Sequence, residues 1–219
     1  MTDDYARSWA PGSLDEAMFQ IDTGNDGAAF WAWGRERAGE LARYMPRGAE
    51  CVVDYGCGVG RVLTAIDAPR RVGVDVSREM LAMAANTDPA CEWRQTDGRS
   101  IPLGDGEADF VYSLLVLQHM DAADVGAVIA DTYRALRPGG TCYHLFSGFG
   151  NGWSPNATLA RGPMRWQGSR EGAHHPAHGA LCYNGTIVDQ LGAEAGFGER
   201  SVISTGHGDN LYWALWGRR

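Results

Sequence analysis

The stretch from Cys51 to Gly60 reads Cys-Val-Val-Asp-Tyr-Gly-Cys-Gly-Val-Gly, a β-branched run that reaches Asp54 and passes at once into Gly56, Gly58 and Gly60. This is a strand entering a tight turn where the backbone must approach a ligand closely, an approach that a Cβ would block. The acid before the glycines restricts the ligand further. Glycine nests and helix N-termini attract anions, so a phosphate cradle would not carry a carboxylate at that point, whereas a cationic ligand would suit it.

A second strand is expected over residues 70–75, Arg-Arg-Val-Gly-Val-Asp, ending in Asp75. Ser77 is placed to N-cap a helix from Arg78 to Asn86. An acid at this strand tip can accept one O–H on each oxygen, as recognition of two ribose hydroxyls requires. Cys91–Gln95 reads as a third strand, with Asp97-Gly98 at its tip. Asp54, Asp75 and Asp97 are therefore expected around one crevice.

The remaining elements alternate. Phe30 to Tyr44 reads as an amphipathic helix, ended by Pro46 and Gly48. Asp109 to Leu115 is the fourth strand, and Asp121 to Leu136 a helix stopped by Pro138-Gly139-Gly140. Thr141 to Phe146 is the fifth strand and Thr186 to Ala195 a helix. Ser201–Ser204 and Leu211–Trp216 read as an antiparallel pair, with Trp213 and Trp216 on opposite faces. Such alternation predicts an α/β, Rossmann-like, doubly wound sheet of seven strands with ligands at the carboxyl ends. Residues 1–219 are expected to form one domain, residues 1–27 being a partly helical, mobile segment. Residues 147–184, rich in glycine and without periodicity, read as an acceptor-binding insert or lid that leaves the ligand end of the sheet.

Five motifs occur in order: Asp54-Tyr55-Gly56-Cys57-Gly58-Val59-Gly60-Arg61, Val72-Gly73-Val74-Asp75-Val76-Ser77, Asp97-Gly98, Ala108-Asp109-Phe110-Val111-Tyr112-Ser113 with Leu117-Gln118-His119, and Leu136-Arg137-Pro138-Gly139-Gly140. Over roughly residues 30–146 the chain resembles the class I S-adenosylmethionine-dependent methyltransferases, of the small-molecule type. The resemblance implies S-adenosyl-L-methionine as cofactor. It implies contacts from the loop residues Asp54, Tyr55, Gly56, Cys57, Gly58 and Gly60. Further contacts fall on Asp75, Val76 and Met80, on Asp97 and Gly98, and on Ser113 and Leu114. It also implies that the helix beginning near Phe30 covers the crevice, where Arg35 either reaches the methionine carboxylate or is a solvated helix residue. The competing Rossmann class, the nicotinamide dehydrogenases, carries G-x-G-x-x-G. Here the last position of that fingerprint is Arg61, and Asp54 opposes a pyrophosphate.

Methyl transfer from a sulfonium is an in-line displacement that requires alignment and dryness. His119, just past the fourth strand, is the candidate general base, or else caps the helix after it. It favours oxygen as the accepting atom, ahead of nitrogen or carbon. His144 reads as a hydrogen-bonded core residue. His174, His175 and His178 are expected to bind no metal, because Pro176 prevents a helix that would align them. Tyr183 and Trp166 are candidates for an aromatic acceptor pocket.

The formal net charge of −8 and the lack of any basic run argue against nucleic acid. No stretch reads as a signal peptide or a membrane span. Five cysteines without a C-x-x-C pair suit reduced, cytoplasmic protein. The partner expected is a small-molecule acceptor.

Overall fold

A computed structural model of the chain describes residues 9–22, 27–147, 164–165, 181–183, 185–204 and 211–219. Seven strands form one sheet: β1 (Cys51–Tyr55), β2 (Arg70–Asp75), β3 (Glu92–Gln95), β4 (Ala108–Ser113), β5 (Leu136–Ser147), β8 (Glu199–Ser204) and β9 (Leu211–Gly217). Their order is β3-β2-β1-β4-β5-β9-β8. The first five run parallel, and β9 lies antiparallel between β5 and β8. A two-stranded ladder, β6 (Met164–Arg165) with β7 (Leu181–Cys182), lies within the expected insert. Apart from Ser147 and Tyr183, the rest of that insert, including Trp166 and the three histidines, falls outside the described residues.

The helices are α1 (Leu14–Ile21), α2 (Gly27–Leu41), α3 (Arg78–Thr87), α4 (Ala122–Ala135) and α5 (Gly185–Ala195). Strand alternation sorts the core onto the two faces of the sheet. Val53, Tyr55, Val111, Cys142, Phe146 and Trp216 pack on the face that buries Val125 and Ile129 of α4 and Val188 of α5. Val52, Phe110, Tyr112 and Tyr143 pack on the other, against Ala38 and Leu41 of α2, with Trp213 half-buried there. Trp213 and Trp216 thus face opposite sides, as the period of a strand requires.

Several boundaries depart from expectation, two of them with consequences for packing. The helix before the fifth strand ends at Ala135, and Leu136 to Gly140 is already part of β5. Leu136 pairs with Ala108, then the register shifts before Thr141 pairs with Phe110. Gly139 takes φ +82° within that irregularity, so the Pro-Gly-Gly run bends a strand instead of separating two elements. The covering helix ends at Leu41 and not at Tyr44. Tyr44 instead stacks on Tyr143 at 4.6 Å, and its carbonyl accepts from the Thr141 hydroxyl at 3.2 Å.

The amino-terminal segment, expected to be partly helical, holds a helix. Within residues 9–22 there is a formed helix, α1, whose N-cap Ser13 accepts from the Glu16 N–H at 3.2 Å. The Glu16 carboxylate accepts from the Gly12 N–H at 2.8 Å, giving a reciprocal cap. Ala17 of α1 is buried with Phe30, Val59 and Met80. This helix therefore rests on the glycine loop and on the start of α3.

Candidate cofactor crevice

The glycine loop follows β1 directly and is shaped by its neighbours. Gly56, Gly58 and Gly60 have φ of +78°, +53° and +80°, a region other residues rarely adopt. A Cβ on Gly56 would lie 2.3 Å from a Val116 methyl, and one on Gly60 would lie 2.4 Å from the Trp93 ring. The same indole excludes a Cβ at Gly73 of β2, at 2.3 Å. Trp93 of β3 thus forms the floor under the loop, and its ring N–H is anchored on the Asp88 carbonyl at 3.0 Å.

Asp75 ties the loop to the next helix. One oxygen accepts from the Gly58 N–H at 2.8 Å and the other from the Ser77 N–H at 2.9 Å. Ser77 in turn caps α3 by accepting from the Met80 N–H at 3.1 Å. Burial raises the Asp75 pKa, while the N–H groups of Ser77, Gly58 and Val76 oppose the rise. Each carboxylate oxygen carries two lone pairs, so the carboxylate keeps acceptor capacity for two hydroxyls.

Asp54 is also buried, on the face of β1 opposite Tyr55. Burial pushes its pKa up to about 7, with the nearby Asp75 adding to the rise and the Tyr112 hydroxyl and Arg61 guanidinium opposing it. A buried carboxyl in this state gains by meeting a cation.

Asp97 does not join this pair. It is exposed, and one of its oxygens accepts from the Arg99 N–H at 2.8 Å, the Ser100 N–H at 3.0 Å and the Ser100 hydroxyl at 2.9 Å. The N–H of Arg99 and the Ser100 groups hold its pKa down. It shapes the turn after β3, where Gly98 sits at φ +82°. The same residue type at a strand tip takes a different part here because the following backbone folds back onto its side chain.

Tyr55, Cys57, Met80 and Ser113 are buried beside the loop and the strand tips, and Val76 and Leu114 are half-buried. Arg35 is exposed on α2. The cation that reaches the loop is Arg61, which sequence reading did not select. Its guanidinium lies 3.8 Å from the Trp33 ring centre and 4.5 Å from that of Phe30. The aromatic spacing of three residues on α2, facing an arginine directly after Gly60, was the available signal.

His119 ends a single 3-10 turn, Leu117–His119, after β4. The turn is reached through Leu115, which takes φ +60°, the one non-glycine residue with positive φ among the described residues. Strain of this kind collects at ligand sites. The His119 ring is half-buried, lies 5.7 Å from the Trp9 ring in an edge-on arrangement, and has one ring nitrogen 3.2 Å from the Gln118 amide. His144 does not fit the expectation of a hydrogen-bonded core residue. It is fully buried opposite Ser113, with neither ring nitrogen hydrogen-bonded among the described residues. Burial lowers its pKa to about 3, so the ring is neutral. Tyr183 is buried against Phe146, with ring centres 5.2 Å apart.

A nest of positive-φ glycines between two buried carboxylates, opening at the carboxyl ends of parallel strands, suits a ligand with a cationic end and a ribose. Residues 53–144 match the family model described as a methyltransferase domain. Over these residues the chain is similar to S-adenosylmethionine-dependent methyltransferases. It is 36% identical over 104 residues to a trans-aconitate 2-methyltransferase of Azoarcus, covering 46% of this chain and 40% of that one. It is 32% identical over 111 residues to a ubiquinone/menaquinone biosynthesis C-methyltransferase of Desulfotalea psychrophila, covering 48% of this chain and 44% of the relative. Among solved structures, one of a putative S-adenosylmethionine-dependent methyltransferase from Listeria monocytogenes matches with a TM-score of 0.63 and 18% identity, covering 86% of this chain and 99% of that chain. That likeness shows the fold. The chain spans less than half the length of the curated relatives it matches. Among the described residues, no helix is long and apolar enough to cross a membrane.

Proposed function

We propose that this methyltransferase carries a methyl group from S-adenosylmethionine to an oxygen atom of a small-molecule acceptor. The observation that carries the reading is the glycine cradle between buried Asp54 and Asp75, with His119 on the turn that leaves β4 at the same end of the sheet. When bound, the cofactor supplies a methyl group activated on a sulfonium. The chain supplies the rest. Asp75 accepts the ribose hydroxyls on the lone pairs left over from Gly58 and Ser77. Asp54 meets the ammonium of the methionine portion. Tyr55, Gly56, Cys57, Gly60, Val76, Met80, Ser113 and Leu114 wall the crevice, with Asp97 and Gly98 at its β3 end. His119 takes the proton from the accepting hydroxyl group, and Trp9 and Gln118 hold its ring.

Two further observations support a small acceptor. The chain is acidic, with a net charge of −8, which disfavours a nucleic acid. The named relatives act, by their names, on trans-aconitate and in quinone biosynthesis. The second of these supports carbon as the alternative accepting atom. We take residues 1–219 as one methyltransferase domain with residues 147–184 on the acceptor side. Free, buried Cys51, Cys57, Cys91 and Cys142 suit a reducing, cytoplasmic setting.

The reading is tested by following S-adenosylhomocysteine release from S-adenosylmethionine with small carboxylic acids, phenols and carbon acids as acceptors. With the best acceptor, His119→Gln is expected to lower the rate by about 10²–10⁴-fold and leave cofactor affinity nearly unchanged. The basic group should vanish from the pH–rate profile with it. A loss below about threefold returns His119 to a structural part and moves the acceptor to carbon or nitrogen.

A further inference from the structure

Arg61 is a buried cation at the rim of the cofactor crevice, and a carboxylate of this same chain already holds it. The Arg61 side chain is only 7% exposed, stacked on two aromatic rings of α2. One terminal nitrogen donates to the Asp22 carboxylate at 3.1 Å. Asp22 is the residue that caps the end of α1, its N–H donating to the Met18 carbonyl. The residue before it, Ile21, reaches Gly58, where a Cβ would lie 3.0 Å from the Ile21 terminal methyl. Among the described residues, the far end of α1 is thus held to the glycine loop by an apolar contact and an ion pair. The charge of Arg61 also acts on Asp54, each favouring the charged form of the other.

S-adenosylmethionine carries an ammonium and a carboxylate on one carbon. If the ammonium meets Asp54, the carboxylate falls beside it, and Arg61, directly after Gly60 of the loop, is a cation whose charge acts on Asp54. A guanidinium offers five N–H donors in a planar fork and is best matched by a carboxylate that takes two of them. Asp22 takes one. We propose that the Asp22 carboxylate is a built-in competitor for the cofactor's carboxylate at Arg61, so that cofactor entry detaches the end of α1 from the glycine loop. The ion pair keeps a buried cation satisfied in the free protein, since an unpaired one would be costly. The cofactor replaces it without leaving the cation bare. This inference rests on the family's cofactor and adds the residue that yields its place.

Two probes separate the outcomes, both measured by titration calorimetry on the full chain. S-adenosylhomocysteine carries the amino-acid end; 5′-methylthioadenosine shares the nucleoside and thioether and lacks the carboxylate and ammonium. Asp22→Asn is expected to bind S-adenosylhomocysteine about tenfold more tightly than the wild type, the scale of one charge-assisted hydrogen bond. Binding of 5′-methylthioadenosine should stay within about twofold of the wild type. Adding Arg61→Gln to Asp22→Asn should erase the gain. Unchanged or weaker binding of S-adenosylhomocysteine to Asp22→Asn overturns the proposal, because Asp22 then supports the bound state. An equal change for both probes overturns it as well, because the effect then has nothing to do with the carboxylate. If neither probe binds the wild type, the cofactor reading itself falls. Asp22 is only partly buried, at 26%, so folding of the Asp22→Asn variant does not limit the test.

Discussion

Asp54 and Asp75 sit on neighbouring strands and are both buried, yet their surroundings give them different chemistry. Asp75 is held by two backbone N–H groups. For Asp54 the largest influence is burial, and its pKa stands at about 7 instead of 3.8. An acid raised in this way contributes stability that is full below pH 3.8 and is lost as the pH climbs through about 7. Asp88, Glu92 and Asp97 are shifted down and act in the opposite sense, on the acid side of their usual values. The difference between wild type and Asp54→Asn therefore isolates the first effect. In urea titrations the wild type should lose stability relative to Asp54→Asn as the pH rises from 3.8 to about 7. A flat difference would show that Asp54 is already ionised in the free protein. The same group should report on the ligand. An ammonium beside Asp54 favours its charged form, so S-adenosylhomocysteine binding at a pH just below about 7 should release a proton, measured as an enthalpy that depends on the buffer. Asp54→Asn should show no such release. Sequence revealed both acids, since each ends a β-branched strand, and it grouped Asp97 with them. What separates Asp97 is the turn of backbone after it, which folds Arg99 and Ser100 onto the carboxylate. Arg61 escaped notice because its setting is tertiary: the aromatic pair that receives it lies on α2.

Among the elements, α2 shows how close the packing over the loop is. Gly34 is buried against the residue after the loop, and a Cβ there would fall 1.9 Å from the Arg61 carbonyl oxygen. That is a backbone atom and cannot rotate away. Gly34→Ala should cost about 3 kcal/mol or more, lowering the melting temperature by roughly 6–12 °C for a chain of this length. Gly39, on the same helix, has open space where an added methyl would sit, with nothing within 4 Å. Gly39→Ala should instead stabilise by about 0.5–1 kcal/mol through helix propensity. Equal effects of the two substitutions in thermal melts would mean that α2 does not rest on the loop. Elements with local signals were legible: β1, β2 and β4 as short apolar runs, and α3 from Ser77. The helix α1 was not, although Ser13 and Glu16 spell a capping box, because its hold on Val59 and Met80 joins residues far apart in sequence. The start of β5 was missed for a different reason. Pro138-Gly139-Gly140 suits a turn, and it is held in the sheet from both sides, by Arg137 paired to Asp109 and by Gly139 donating to the Arg218 carbonyl.

At the scale of the whole molecule, the sheet order places β1 and β4 side by side at the point where the chain direction of the winding reverses. Doubly wound sheets open a crevice at such a point, and here the glycine loop, Asp54, Asp75, Ser113 and the His119 turn all converge on it. The seven strands and the antiparallel last pair were legible from alternation. The insertion of β9 between β5 and β8 was not, since no local residue pattern encodes which edge a strand joins. The central claim is that this crevice is built for S-adenosylmethionine and not for a dinucleotide, with Asp75 as its ribose acceptor. The most direct test is titration calorimetry of the full chain with S-adenosylhomocysteine and with NADH, beside Asp75→Ala. One molecule of S-adenosylhomocysteine should bind per chain and NADH should not, and Asp75→Ala should weaken the binding by about tenfold or more, the value of a charged acceptor. Unchanged affinity in a folded Asp75→Ala variant, or tight binding of NADH by the wild type, would contradict the account.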